Sequence, residues 1–212
     1  MKRLNRNIDR CWNKEERNLL RRLSSPQAIQ AFLDNVDYST DLFYRAPRDV
    51  LRDRRAHCTD GALFAAAALR QLGYPPIIME LRAVRDDDHL LAIFRRDGLL
   101  GAVAKSNFVT LRYREPVYRS LRELVMSYFD GFYNVNGERT MRAYSALFPL
   151  ARFDHLNWMT EQAGLDHIID CLDQSRHYPI APPAVMRRLI RVDERSYQAG
   201  LMGSKPEGLY QP

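Results

Sequence analysis

A nearly unbroken apolar segment between residues 59 and 72 constrains the fold of this chain more than any other feature. Eight consecutive residues, Ala62 to Leu69, are alanine, leucine or phenylalanine, and alanine and leucine favour helix. Because its apolar residues lie on every side, such a helix is buried rather than placed on a surface. Gly73 is suited to end it, and Pro75 and Pro76 prevent its continuation. We therefore predict a central buried helix.

The sequence after this helix changes to short runs of β-branched, aromatic and leucine residues. Within the second run, Asp97-Gly98 suits the type I′ turn of a hairpin. The sequence thus predicts an α+β fold, in which the buried helix packs on a mostly antiparallel sheet and further helices flank it. The predicted strand regions are 76–84, 89–105 and 138–148, and the predicted flanking helices are 14–23, 25–36, 116–127 and 165–172.

The length of 212 residues suits one domain with a sizeable core. We interpret residues 1–46 as an N-terminal helical segment of that domain and residues 47–178 as its core. Residues 179–212 form a C-terminal extension that is partly flexible, because it is rich in proline, glycine and arginine and its last residues are expected to fray.

Composition excludes several classes of protein. The three cysteines are widely scattered, which does not resemble a disulfide framework. No apolar run approaches the ~20 residues that span a bilayer, and the basic first residues precede no apolar stretch typical of a secretory signal. We therefore expect a cytoplasmic protein without a membrane partner. The formal charge is +6, but the basic residues do not alternate with aromatic ones, so we expect no nucleic-acid partner.

The stretch from His57 to Gly61 places a cysteine where the buried helix begins. Unpaired N–H groups give a helix N-terminus partial positive charge, which stabilises a thiolate and can receive the oxyanion formed when a carbonyl is attacked. Cys58 is therefore the candidate nucleophile. Asp60 suits the first turn of the helix and is a candidate substrate-binding residue. The alternative is that Cys58 is a small buried structural cysteine.

A thiol nucleophile needs a base, and the base needs a partner that orients it. His89 opens the strand "HLLAIF" and is the candidate base, while Asn107 follows the partner strand of the hairpin and could accept a ring N–H. Asp88 and Ser106 are the alternatives for this third role. Lys105 is a candidate for binding a substrate carboxylate, although it could equally be a surface lysine.

Three segments together resemble the core of the transglutaminase-like superfamily: "GALFAAAALRQLGYPP", "DDDHLLAIF" and "GLLGAVAKSN". The resemblance covers residues 50–110 and extends through "REPVYRSLRELVMSYF" at 114–129. That superfamily shares a papain-like arrangement with a cysteine, a histidine and then an aspartate or asparagine. The resemblance implies that Cys58 is the nucleophile and His89 the base. Asn107 departs from the usual aspartate.

The resemblance and the residues together predict cysteine-dependent acyl transfer through a thioester. The substrate would be an amide or ester in a peptide, a protein or a small molecule. Water as the acceptor would make the reaction that of an amidase or peptidase, and an amine would make it crosslinking; the sequence leaves both open. Neither a metal nor an organic cofactor is expected. The alternative function is a catalytically inactive binding module that holds a peptide or protein partner.

Overall fold

The computed structural model of the protein describes residues 11–212. Residues 1–10, which belong to the predicted N-terminal segment and to the stretch considered above for a secretory signal, lie outside the described residues. Within the described part, no helix is both long enough and apolar enough to cross a bilayer.

The predicted central helix is present as α4, Cys58–Gln71, and all residues from Thr59 to Leu69 are buried. Gly73 follows it with φ of 90°, a conformation that glycine adopts without steric cost. Helix α2, Pro26–Asp34, packs on one side of α4. There the rings of Phe32 and Phe64 stack with centroids 4.8 Å apart. Burial on all sides follows from the small alanine side chains, which allow neighbouring elements to approach closely.

Helix α4 also packs on a seven-stranded sheet, so the predicted α+β class is confirmed. The strand order is β6-β5-β4-β3-β7-β9, with β8 paired to β3, and all these pairs are antiparallel. The strands are β3 Ile77–Ala83, β4 His89–Arg96, β5 Leu99–Val103, β6 Arg114–Tyr118, β7 Met141–Ser145, β8 Phe148–Pro149 and β9 His177–Pro179.

The β4–β5 hairpin turns at Asp97 and Gly98, as the sequence predicts. Both residues have positive φ, 52° and 82°, which a type I′ turn requires at its two central positions. Side chains then alternate along β4: Leu90 and Ala92 join the hydrophobic cluster around α4, whereas Leu91 joins the cluster on the other side of the sheet. The sheet is therefore buried on both faces.

The helix predicted over 116–127 begins later than expected. Residues 114–118 form strand β6, and helix α5 spans Leu121–Phe129 after Ser120, whose side chain accepts a hydrogen bond from the Glu123 backbone N–H at 3.1 Å. Strand β6 lies at the edge of the sheet, where proline is tolerated because a missing N–H is not needed for pairing. Val117, which lies in this strand, is 60% exposed.

The C-terminal extension packs on the core instead of extending away from it. The Tyr133 hydroxyl donates a hydrogen bond to the carbonyl of Ser196 at 2.8 Å, which attaches helix α8, Glu194–Gly200, to the layer around α5. The domain boundaries inferred from the sequence stay predictions. The remaining elements are α1 Lys14–Arg22, β1 Asp37–Tyr38, α3 Pro47–Asp53, β2 Arg55–Ala56, α6 Leu165–Asp173, α7 Pro183–Met186 and α8 Glu194–Gly200, with β1 and β2 paired in parallel.

Candidate functional site around Cys58

Cys58 is the first residue of α4, and a pair of reciprocal hydrogen bonds fixes the start of this helix. The Nδ1 atom of His57 accepts a hydrogen bond from the Thr59 backbone N–H at 3.1 Å. In return, the Asp60 carboxylate accepts one from the backbone N–H of His57 at 3.2 Å. This arrangement is a capping box in which histidine replaces the usual serine or threonine. It holds Cys58 in one position relative to the sheet.

The Cys58 thiol lies against the start of strand β4. Its Sγ atom is 3.5 Å from the carbonyl oxygen of Asp88 and 4.0 Å from Oγ1 of Thr59. Burial, together with the nearby Asp87 carboxylate, raises the pKa of the Cys58 thiol to about 12. Desolvation thus acts against the thiolate that the helix N-terminus was expected to stabilise. At neutral pH the group is a thiol that donates to a carbonyl.

His89 is buried, with 4% of its surface exposed, and its protonation state follows from one contact. Its Nε2 atom lies 2.7 Å from the carbonyl oxygen of Leu111. A carbonyl can only accept, so Nε2 carries the proton and Nδ1 keeps its lone pair. Burial lowers the pKa of His89 to about 4, although the Leu111 carbonyl acts in the opposite direction. The ring is thus neutral at pH 7, and Nδ1 can accept a proton.

Cys58 and His89 line one small cavity of about 40 Å³, together with Phe108, Leu111 and Phe132. The His89 ring packs edge-on against Phe132, with centroids 6.3 Å apart. Among the contacts of residues 11–212, no hydrogen bond joins the thiol to the imidazole; the sulfur instead contacts the backbone directly before His89. The predicted nucleophile and base therefore line the same cavity without a direct hydrogen bond between them.

Asn107 is placed differently from the expectation. Its side-chain amide donates to the carbonyl of Lys205 and accepts from the Lys205 backbone N–H, both at 2.8 Å. The hairpin register pairs Ala92 with Val103, and its continuation places position 106, not 107, opposite His89. In this structure the Leu111 carbonyl orients His89. The catalytic role of Asn107 stays a prediction.

The two alternatives for the third role also engage nearby backbone. An oxygen of the Asp88 carboxylate accepts a hydrogen bond from the Ala83 backbone N–H at 2.6 Å. The Ser106 hydroxyl accepts one from the Phe108 backbone N–H at 3.0 Å. Both residues line the small cavity with His89. A backbone acceptor such as Leu111 leaves no residue-specific signal in a sequence, which is why the sequence analysis missed it.

The predicted substrate-binding residues are Lys105 and Asp60. Both side chains are buried and form hydrogen bonds to backbone groups of this chain. The Lys105 ammonium is 2.8 Å from the carbonyl of Leu33 and also donates to that of Val36. The Asp60 carboxylate is fully buried and accepts from the Arg45 backbone N–H at 2.7 Å. Through these hydrogen bonds, both side chains stabilise the loops around α4. Their roles in substrate binding stay predictions.

A larger cleft of about 430 Å³ opens over Cys58, and its charge is opposite to that of the whole protein. Among the described residues, six acidic residues line the cleft, and His57 is its one basic residue. Arginines outside the lining pair with four of these carboxylates. The other two, which have no arginine partner within 4 Å among the described residues, favour a cationic group over an anionic one in the cleft. The acidic residues are Asp41, Glu80, Asp87, Asp88, Asp173 and Glu207.

The chain's own C-terminal residues cover this cleft. We call residues 205–210 the C-terminal strap; its last four residues line the cleft, and Gly208 and Tyr210 also line the small cavity. Asn107 binds the backbone at the start of the strap, and the Lys205 ammonium lies 3.4 Å from a carboxylate oxygen of Asp37. A Cβ atom on Gly208 would lie 2.8 Å from the Tyr38 ring. The tail expected to fray is therefore seated closely on the site.

Comparisons with known proteins find similar structures but no similar sequence. No protein-family model and no curated protein matches the sequence. The solved structures that are similar to this chain include two of one protein. Legionella pneumophila LapG matches at 14% identity over 48% of this chain and 70% of that chain, with a TM-score of 0.33. EGTA-treated Legionella pneumophila LapG matches at 12% identity over 81% of this chain and 96% of that chain, with a TM-score of 0.39.

Both matches are to the same protein, and both are less than 25% identical to this chain. With TM-scores below 0.5, they carry no conclusion about the site or the reaction.

Proposed function

We propose that this chain is a cysteine-dependent hydrolase or acyltransferase that acts on amide or ester bonds, with Cys58 as nucleophile and His89 as general base. The observation that carries the proposal is the protonation state of His89. Its bond to the Leu111 carbonyl leaves Nδ1 as a proton acceptor in the cavity that Cys58 also lines. A nucleophile at a helix start and a neutral imidazole in the same cavity are the two groups that acyl transfer needs.

The reaction proceeds in two stages. As Sγ of Cys58 attacks the carbonyl carbon, Nδ1 of His89 takes the thiol proton, and backbone N–H groups at the start of α4 receive the oxyanion. Collapse of this intermediate breaks the bond to the leaving group, which His89 protonates, and leaves a thioester on Cys58. Water or an amine then attacks the thioester carbonyl as His89 takes its proton. The C–S bond breaks, and His89 returns the proton to Sγ of Cys58, which regenerates the thiol and the neutral imidazole. The acceptor decides between hydrolysis and transfer.

The test measures acylation of Cys58 by an activated ester such as 4-nitrophenyl acetate. We expect about one equivalent of 4-nitrophenol in a rapid burst, and mass spectrometry should place the acetyl group on Cys58. Cys58→Ser should abolish the burst while leaving thermal unfolding nearly unchanged, because serine is similar in size. Cys171→Ser is the matched control and should retain the burst. Acetylation of Cys11 and Cys171 as fast as Cys58 would contradict the proposal.

The pH dependence should reflect a buried base. His89 accepts a proton only when neutral, so kcat/KM should fall as the pH decreases through the pKa of His89, which burial lowers to about 4. We therefore expect nearly full activity at pH 6, where a solvated histidine with a pKa of about 6.5 would be largely protonated. The measurement is kcat/KM against pH, with circular dichroism confirming the fold at each point. An acid limb centred near pH 6.5 would assign the base to another group.

A binding module without catalysis is the second candidate, and the raised pKa of the Cys58 thiol favours it. Its cleft would hold a cationic peptide, since acidic residues line it. One experiment, which combines peptide binding with acylation of Cys58, distinguishes the two functions. A lysine-rich fluorescent peptide that binds equally to the native chain and to Cys58→Ser, without any acylation of Cys58 by the ester, would establish the binding module.

A further inference from the structure

A second cavity, of about 730 Å³, lies at the edge of the sheet formed by β7 and β9. It shares no lining residue with the two cavities at Cys58. Its walls come from the turn after β3, from β7 and from the segment after β9, including part of α7. One glutamate, Glu138, lines it against five arginines: Arg85, Arg139, Arg142, Arg187 and Arg191.

The chain's own carboxylates neutralise only part of this charge. Arg85 pairs with Glu138 at 3.0 Å, and Arg139 pairs with Asp130 at 3.2 Å. Within residues 11–212, the other three arginines have no carboxylate partner within 4 Å. Three of the five guanidinium groups in the lining therefore lack a direct ion pair with a carboxylate.

Arg139 and Arg142 are the half-buried members of the group, and backbone contacts fix Arg142. Its Nη1 atom donates to the carbonyl of Arg139 at 2.8 Å and to that of Met141 at 2.9 Å. Burial lowers the pKa of Arg142, and the charge of Arg85 lowers it further. A cation held this way beside like charges gains from the arrival of an anion. Its fixed position also means that little side-chain entropy would be lost on binding.

The rest of the lining is apolar. Met186, Leu189 and Ile190 contribute side chains, and Ile190 is 78% exposed. The hydrogen bond from the Val192 backbone N–H to the Gly137 carbonyl, 2.9 Å long, attaches this segment to the turn before β7. The cavity thus combines a cationic side with an apolar side, and its volume is in the range that holds a small organic molecule.

We propose that this cavity binds a small organic phosphate that carries at least two negative charges and an apolar or aromatic portion. Arginine is the side chain whose planar fork matches phosphate oxygens in pairs, and several arginines match several charges. The apolar side would receive the organic portion. The proposal stands on this cavity alone and does not depend on the chemistry at Cys58.

Isothermal titration calorimetry with ADP as the probe tests this site. We expect saturable one-to-one binding, weaker binding of pyrophosphate because it lacks an organic portion, and at least about tenfold loss of ADP affinity in Arg142→Gln. Arg187→Gln, at an exposed position whose loss should not disturb folding, is expected to weaken binding in the same direction. Arg195→Gln is the matched control, because Arg195 is exposed on α8 outside the cavity lining.

Three results would overturn the proposal. They are an absence of ADP binding to the folded protein, equal weakening by Arg187→Gln and Arg195→Gln, and pyrophosphate binding as tight as that of ADP. The first would exclude the site, the second would attribute binding to overall charge, and the third would exclude the apolar contribution.

Discussion

Ala66→Asp is expected to lower the free energy of unfolding by about 3–5 kcal/mol, the largest effect of any single substitution considered for this protein. Ala66 lies in the middle of α4 and is fully buried. A carboxylate at this position would be surrounded by apolar side chains of the cluster around α4, so it would lose its hydration without gaining a partner. It would also need space that the close packing of α4 does not provide.

Urea denaturation followed by circular dichroism measures this change, and Ala31→Asp provides the matched control. Ala31 is an exposed residue of α2, so the same substitution there should change the free energy of unfolding by less than about 1 kcal/mol. Similar small losses in both variants would show that α4 is not the centre of the core.

Removal of residues 205–212 is expected to raise the rate at which iodoacetamide alkylates Cys58 by at least about tenfold. The C-terminal strap lines both cavities at Cys58, so its removal opens the thiol to solvent. Solvation also relieves the burial that raises the pKa of the thiol, so the reactive thiolate becomes more abundant at a given pH. Cys171, on α6, is the internal control in the same molecule, and its rate should not change.

The variant Asn107→Ala distinguishes two roles of the side chain, which are holding the C-terminal strap and orienting His89. If Asn107 mainly holds the strap through Lys205, the variant should alkylate faster at Cys58, in the same direction as the truncated chain. If Asn107 instead orients His89, turnover of an ester should fall by more than about tenfold while alkylation stays unchanged. Mass spectrometry of the alkylated peptide gives the first quantity, and steady-state kinetics give the second. Unchanged alkylation in both the variant and the truncated chain would show that the strap does not protect the thiol.

The elements predicted correctly are those whose signals are local in the sequence. The alanine and leucine run gives α4, and Asp97-Gly98 gives the hairpin, because helix propensity and turn conformation depend on adjacent residues. The position of Cys58 at the helix start follows in the same way, from the boundary between polar and apolar residues. Physical rules that act over a few residues therefore carried these predictions.

The features that were missed depend on distant parts of the chain. Val117 and its neighbours have helical spacing, but pairing with β5 makes them a strand. The Leu111 carbonyl that orients His89 is a backbone atom, which any residue would supply. The partner of Asn107 lies 98 positions along the chain, in a tail whose proline and glycine content predicts disorder. A local pattern contains no information about such contacts.

The C-terminal strap also limits the binding over Cys58 of a ligand that must take the place of the strap. Because the strap belongs to the same chain, it competes at an effective concentration that is of millimolar order for a short flexible connection. A free peptide therefore binds with an apparent Kd equal to its intrinsic Kd divided by the fraction of molecules in which the strap is open. A screen on the intact chain underestimates affinity by that factor. The ratio of Kd values for one peptide, measured on the intact and the truncated chain, gives the open fraction directly.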